Sequence, residues 1–456
     1  MQAVATEPHT SGAEQHRQVQ IAANPQIMGQ YLSQLFEVRG SAIECRVLDM
    51  KYEVGEYCTL LYQLGERMLI GSFRWGHAEG ELPASARLIE PLGMQVYSFE
   101  QDPALPGLAT ALDPARMREA LFEAIPEFHD GNTILLRVRA RPLRYRPGKR
   151  CTLRFDLWTR DTRMGDYGRR TMYGKAYHDL NKAASVFDEM RMLAESEAVR
   201  TGRVVLAPAL AFMPDLQIVV QAPVEGLPLE MYMEGLQGAV TAGDQRGWDG
   251  VIRSADALAA VHTSGLTTDR ERPIAAEVKR FGKRAAQAVA VDPAIGGRMA
   301  ELAAVLPSWL DKLPGWDERI TLVHGDCKHS QCMLTADGVA ILDWDHCGMA
   351  DPATDIGTYL ATLRQMGIHQ ALKSRGSDAS AARARWLRAL EDQFLDAYVA
   401  ASGFGDSFRP RARWYEAVAM MRKALRAFAR APRSPMPLAQ VEEGWRILEE
   451  TRDQRF

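Results

Sequence analysis

The 456-residue sequence contains no apolar run near the roughly 18–20 residues that span a bilayer, so membrane-spanning function classes are set aside. It also lacks a charge excess. Lys and Arg number 55 against 58 Asp and Glu, for a net charge of -3, and no global basic field points to nucleic acid. There are only six cysteines, and no C-x-x-C spacing occurs among them, which removes the common zinc patterns. They read as free thiols packed as small apolar residues. The opening MQAVATEPHTSGAEQHRQ has no apolar core of the secretory kind. A cytoplasmic chain without membrane or nucleic-acid partners is therefore expected. What is present, 46% hydrophobic and 25% charged residues, is ordinary for a globular protein. The length exceeds what one core usually serves, so two or three domains or subdomains are expected.

Residues 1–22 are polar and read as a disordered tail. Asn24-Pro25 then supplies a cap and a proline for the first helical position, followed by Met28, Leu32 and Leu35 at helical spacing. Three strand-like runs come next: IECRVLDMKY, CTLLYQL and MLIGSFRW. The same order recurs from Asp113-Pro114, with ILLRVRARPLRY, CTLRFDLW and TMYGKAYH. From Lys51 and from Arg144, KYEVGEYCTLLYQL and RYRPGKRCTLRFDL share Tyr, Gly, Cys, Thr and two Leu positions at an offset of 93. The helices match at an offset of 89, through Pro25/Pro114, Met28/Met117 and Leu32/Leu121. An internal duplication follows. After residue 178 helical periodicity dominates. The chain thus reads as a tail (1–22), a first small β unit (23–110), a second (111–222) and a large helical lobe (223–456).

One interruption in the helical lobe carries chemistry: LVHGDCKHSQCML followed by GVAILDWDHCGMADPATDIG. Two short apolar runs flank the turn Thr335–Gly338, so a hairpin is predicted. Asp326 and Gln331 then precede its first strand and Asp343 follows its second. Three oxygen-bearing side chains at one sheet edge suit phosphoryl transfer. That reaction needs a carboxylate on the attacking hydroxyl and hard oxygens for Mg²⁺.

The pattern H-G-D-x-x-x-x-[N/Q], then L-D-W-D and D-P-x-x-D, resembles the aminoglycoside phosphotransferase/choline kinase family. The resemblance implies an α+β, bilobal protein-kinase-like fold: a small β-rich N-lobe and a mainly helical C-lobe. The first repeat becomes an extra N-terminal cap that duplicates the N-lobe, an arrangement similar to that of maltokinases. It implies ATP and Mg²⁺ as cofactors, Asp326 as catalytic base, Gln331 and Asp343 as metal ligands, and His324 and Asp355 as braces. Asp345 and Asp351 fall at supporting positions. Gln331 departs from the more usual Asn, a change that favours a sugar kinase over an aminoglycoside kinase.

The resemblance extends to the second β unit. Lys175, alternating with Tyr173 and Tyr177, resembles the lysine on the nucleotide phosphates, with Glu189 as its carboxylate or Asp188 as the alternative. Gly148, in the turn Arg146–Arg150, stands where a phosphate-covering loop belongs, although this is no G-x-G-x-x-G. Gln221 and Ala222 would offer backbone groups to adenine. In the first unit Ser72 stands opposite Lys175, so that unit is expected to be non-catalytic. From Lys373 onward there are 16 Lys and Arg against 11 Asp and Glu, an excess that disfavours a polycationic substrate. The expected function is phosphorylation of a hydroxyl on a small molecule, a sugar or sugar-containing metabolite. The alternatives are an inactive kinase-like binding or regulatory protein, an antibiotic-modifying kinase, or transfer of another group such as AMP.

Overall fold

The structure, a computed structural model, describes residues 12–38, 44–53, 55–76, 82–234, 242–310, 319–374 and 378–453. They form two compact units. The first comprises residues up to 187 together with 209–223, and the second comprises 188–208 and 224 onward.

The first unit opens with helices α1 (Gly12–Ala22) and α2 (Pro25–Leu35), then strands β1 (Cys45–Glu53), β2 (Tyr57–Leu64), β3 (Arg67–Arg74), β4 (Arg87–Ile89) and β5 (Met94–Ser98). The expected tail is shorter than the sequence reading had it, because residues 12–22 are helical. Val19 and Ala22, three apart on one face, are buried, and Tyr62 Oη donates to the Ala22 carbonyl at 2.7 Å. Those two apolar residues are too few to show against a polar background. Residues 1–11 of that tail lie outside the described residues. Next come α3 (Leu108–Leu112), α4 (Pro114–Ala124), β6 (Thr133–Arg146), β7 (Arg150–Asp161) and β8 (Tyr167–Tyr177); then α5 (Leu180–Ala194), whose residues from 188 on count with the second unit, and α6 (Glu197–Arg200), which lies in the second unit; and then β9 (Ala209–Met213) and β10 (Ile218–Gln221), again of the first.

The repeat is visible at every level. Asn24 Oδ1 accepts from the amides of Gln26 and Ile27, and Asp113 Oδ1 from those of Ala115 and Arg116. Each cap precedes a proline, and each helix buries its Met/Leu pair, Met28 with Leu32 and Met117 with Leu121. The two five-stranded antiparallel sheets have the same order, β1-β2-β3-β5-β4 and β6-β7-β8-β10-β9. In the first, Thr59 pairs with Ser72; in the second, Thr152 pairs with Lys175. Beside these pairs, Gly71 and Gly174 admit an aromatic ring from the neighbouring strand. A Cβ on Gly71 would lie 2.8 Å from Tyr62, and one on Gly174 2.4 Å from Phe155. Both sheets end in a hairpin that the sequence reading missed. A short 3-10 turn leads to a left-handed residue, Gly93 at φ 62° in one and Gln217 at φ 53° in the other.

The first sheet uses both faces. Cys58, Leu60, Tyr62, Leu69 and Phe73 pack on α1 and α2. The alternate residues Leu61, Ile70 and Tyr97 join Leu105, Phe128, Val138 and Phe155 in the core of the second sheet, as the two-residue period of a strand dictates. Each large apolar side chain buried there contributes about 1.5–3 kcal/mol. Asp102, buried at the end of the first repeat, accepts from Tyr145 Oη at 2.6 Å and from the Gly148 amide at 2.8 Å.

The second unit contains β11 (Leu227–Pro228), α7 (Leu229–Glu234), α8 (Ala242–His262), α9 (Ile274–Val291), α10 (Pro293–Leu310), β12 (Thr321–Val323), β13 (Cys332–Leu334), β14 (Val339–Ile341), β15 (Gly348–Ala350), α11 (Ala353–Ser374), α12 (Asp378–Ser402), α13 (Phe408–Arg430) and α14 (Pro435–Asp453). Its strands form two small antiparallel sheets, β11-β13-β14 and β12-β15. Helix α13 is the central one, burying Trp414, Tyr415, Met420, Met421 and Phe428. Buried Arg364 of α11 is neutralised by Glu391, Glu416 and Glu443 from α12, α13 and α14. Among the described residues no helix is long and apolar enough to cross a membrane, and all six cysteines are free and buried.

Candidate active site

The expected hairpin is present as β13 and β14, closed by Thr335, whose amide donates to the Gly338 carbonyl at 2.9 Å. The backbone of Gln331, just before β13, accepts from the Leu342 amide at 2.8 Å, which brings the two ends of the hairpin together. Gln331 Nε2 then lies 3.4 Å from Asp343 Oδ2. Asp343 takes up a left-handed conformation, φ 67° and ψ 57°, which aspartate tolerates better than most residues.

Asp326 sits on the loop between β12 and β13, and Asp355 fixes that loop. From the first turn of α11, Asp355 accepts the amides of His324 at 2.6 Å and Gly325 at 2.7 Å. His262 Nε2 lies 3.2 Å from the same carboxylate and donates to it, while His262 Nδ1 accepts from Tyr398 Oη at 2.7 Å. Burial pushes the Asp355 carboxyl up, but the hydrogen bonds from His262 and from the His324 amide outweigh it, and the carboxyl stays below its ordinary range. His324 Nε2 donates to the Leu342 carbonyl at 2.9 Å, which leaves Nδ1 to accept from the Asp326 amide at 3.3 Å. Gly325 is at φ 81°, and a Cβ there would lie 2.2 Å from the His346 carbonyl, so only glycine fits.

Asp326 has an ion-pair partner, Lys328, whose Nζ is 2.9 Å from Oδ2. Burial raises the Asp326 carboxyl, but the charge and hydrogen bond of Lys328 more than reverse this. The group is therefore an ionised carboxylate, able to orient a hydroxyl and accept its proton. Gln331 Oε1 is buried without a hydrogen-bond partner. Among the described residues no three His, Cys, Asp or Glu side chains cluster for a metal. The donors brought together are one carboxylate, Asp343, and one amide oxygen, Gln331, which as hard oxygens suit a cation that also binds phosphates and water. Asp351 caps α11 through the Ala353 amide at 2.9 Å and pairs with buried Arg411 at 2.5 Å. Buried Asp345 receives Arg270 on its carbonyl at 3.1 Å.

The remaining candidates fall as follows. Lys175 is on β8, half-buried, between Thr152 and Val219, with its ammonium 6.0 Å from the Tyr177 ring centre. Gly148 is in the β6–β7 turn at φ 67°, and its amide donates to Asp102 rather than projecting free as a phosphate ligand would. Gln221 ends β10 opposite Tyr173, and Ala222 follows it. Glu189, on α5 and almost fully buried, receives Arg270 Nη1 at 3.1 and 2.9 Å. Arg270 and its neighbour Arg272, which donates to the His346 carbonyl, were missed from sequence, as were Lys328 and His262. Lys328, two residues after Asp326, carried the one usable signal.

The profile of the APH phosphotransferase enzyme family matches residues 175–408. The chain belongs to this family. No curated protein matches it. Among solved structures it is similar to a glucosamine kinase in complex with glucosamine, ADP and inorganic phosphate. The identity there is 15% over 90% of this chain and 96% of that one, with a TM-score of 0.50. It is also similar to a choline kinase from Cryptosporidium parvum Iowa II, at 11% identity over 74% of this chain and 96% of that one, with a TM-score of 0.49. At such identities the first likeness speaks for the fold, which is the kinase-like one of this phosphotransferase family. The family match begins at Lys175 and takes in Asp326, Gln331, Asp343 and Asp355; the first repeat lies outside it.

Proposed function

We propose that the chain is an ATP- and Mg²⁺-dependent kinase that phosphorylates a hydroxyl of a small molecule. The observation that carries this is the Asp326 loop. An ionised carboxylate is held rigid by Asp355, in the same small-sheet assembly as a Gln331–Asp343 pair with an unsatisfied amide oxygen. Asp326 orients the acceptor hydroxyl and takes its proton. Lys328, 2.9 Å away, offers positive charge to the transferring phosphoryl oxygens. Gln331 and Asp343 hold the metal, which when bound neutralises phosphate charge. Lys175 is assigned to the nucleotide phosphates, Glu189 to its support, and Gln221 and Ala222 to adenine. Gly148 enters only as part of the turn that Asp102 shapes. The resemblance to maltokinases favours a sugar or sugar-containing acceptor.

The direct test is ADP release by Asp326→Ala. The expected result is a loss of about 10²–10⁴-fold, in the range of a removed general base, with the circular dichroism spectrum unchanged. Full activity in a folded Asp326→Ala protein would end this reading.

A further inference from the structure

On β6, β7 and β8 the side chains that turn away from the core are largely arginine. Cys151, Leu153, Phe155 and Leu157 of β7 pack inward, so Arg154, Asp156, Trp158 and Arg160 face outward, as the two-residue strand period dictates. The pairing register sets their neighbours. Ile134 of β6 and Tyr167 of β8 flank Arg160, and Arg137 and Arg169 flank Trp158. Arg139 and Thr171 flank Asp156, and Arg141 and Tyr173 flank Arg154. Six arginines and three aromatic rings thus share these four rows with a single carboxylate. The chain's net charge of -3 hides this segregation.

The side chains are ordered on that face. Asp156, 1% exposed, takes Arg141 at 2.5 Å and Arg154 at 2.9 Å, with Arg169 at 3.6 Å. Arg154 Nη2 also donates to Thr171 Oγ1 at 3.3 Å. The guanidinium carbons of Arg137 and Arg169 lie 5.1 and 5.4 Å from the Trp158 ring centre, and that of Arg160 lies 5.9 Å from the Tyr167 ring centre, within cation–π range. The Tyr167 side of the face is open, with that residue 76% exposed.

Edge protection accounts for the charges and bulges of β6, the edge strand of its sheet. It does not account for Arg154, Arg160 and Arg169, which stand on the two strands next to it. Neutralisation of buried Asp156 accounts for three of the six arginines. It leaves Arg137, Arg139 and Arg160, exposed and with no carboxylate partner among the described residues.

We propose that this face binds single-stranded nucleic acid, with its arginines on successive phosphates and the open Tyr167 ring beneath an unstacked base. The rings decide the class. An acidic peptide would use the guanidiniums and leave the aromatic side chains idle. A lipid surface would need aliphatic anchors, and the paired positions of these rows on β6, β7 and β8 hold only Ile134, at one end. A single strand uses both kinds of group, cations for its backbone and rings for its bases, and a sheet face is a suitable platform for it. From Arg154 to Arg160 the face runs about 20 Å at about 3.4 Å per residue, room for about four nucleotides. The next row, Thr152 with Lys175, is left to the nucleotide phosphates proposed above, so this inference stands whether or not the phosphotransferase reading does.

The test is fluorescence anisotropy of a labelled oligouridylate of about twelve nucleotides, titrated with the full chain over a range of KCl, with oligothymidylate of the same length to distinguish RNA from DNA. The expected result is saturable binding whose log K falls against log salt with a slope of about -2 to -4, as roughly three to six phosphate contacts give at about -0.7 each. Arg139→Gln and Arg160→Gln, both at exposed positions, should each weaken binding about threefold and make the slope shallower by about 0.7. Tyr167→Ala should weaken it about fivefold or more and leave the slope unchanged, since a stacked base carries no charge. No saturable binding of either oligomer at about 50 mM salt, or binding that all three substitutions leave untouched, overturns the proposal. So does displacement of the oligomer by polyglutamate at equal charge, which would give the face to an acidic protein, or binding of phosphatidylserine vesicles without binding of the oligomers, which would give it to a membrane.

Discussion

The two five-stranded sheets of the first unit are the same object put to different uses. Strand order, terminal helix caps, the glycine that admits an aromatic ring and the left-handed corner before the last strand all recur. At one pair of equivalent positions they part: β3 carries Ser72, buried, and β8 carries Lys175, half-buried. Selection for folding explains the shared features, since each satisfies a backbone group or fills a core. Lys175, present in one copy alone, is the residue to which the proposed phosphate role falls.

The largest expected effect breaks this comparison at that point. Lys175→Ala should lower kcat/KM for ATP by about 10²-fold or more, the scale of a lost phosphate contact inside an active site. Ser72→Ala should change it less than twofold. Equal effects in a coupled assay would remove the distinction between the repeats. A smaller effect tests what they share. Gly174→Ala and Gly71→Ala should each cost about 1–3 kcal/mol by overpacking, Gly174 the more because Phe155 lies closer than Tyr62 does. Urea denaturation measures both, and two neutral substitutions would show that the rings move aside. Asp102→Asn should cost about 1–3 kcal/mol, the penalty for weakening a buried carboxylate that takes three donors, and should raise the KM for ATP if the Gly148 turn needs its present shape. The smallest effects should come from Asn24→Ala and Asp113→Ala, about 1 kcal/mol each for a lost helix cap. Two matching losses in thermal melts sharpen the case for equivalence.

The sequence was most legible where structure is local. Asn24-Pro25 and Asp113-Pro114 announce their helices, and the Thr335–Gly338 turn announces its hairpin. The placement of Asp326, Gln331 and Asp343 around that hairpin was readable for the same reason. Distant partners were not. His262 meets Asp355 across 93 residues, and Arg270 meets Glu189 across 81. No spacing rule links such pairs, and a single arginine in DRERP looks like any solvated charge. The α1 helix was hidden by composition, since two buried apolar residues, Val19 and Ala22, do not make a periodic signal over eleven positions. The second hairpin of each repeat was hidden because Gly93 and Gln217 share a conformation and not a residue type.

Asp102 belongs by sequence to the first repeat, yet two of the donors it satisfies, Tyr145 and Gly148, belong to the second. The amino-terminal repeat is therefore no detachable ornament. Deleting residues 1–110 would strip a buried tyrosine hydroxyl and a turn amide of their acceptor and uncover the apolar floor on which Leu61 and Ile70 rest. The first copy thus supplies part of the second copy's polar pairing and part of its core.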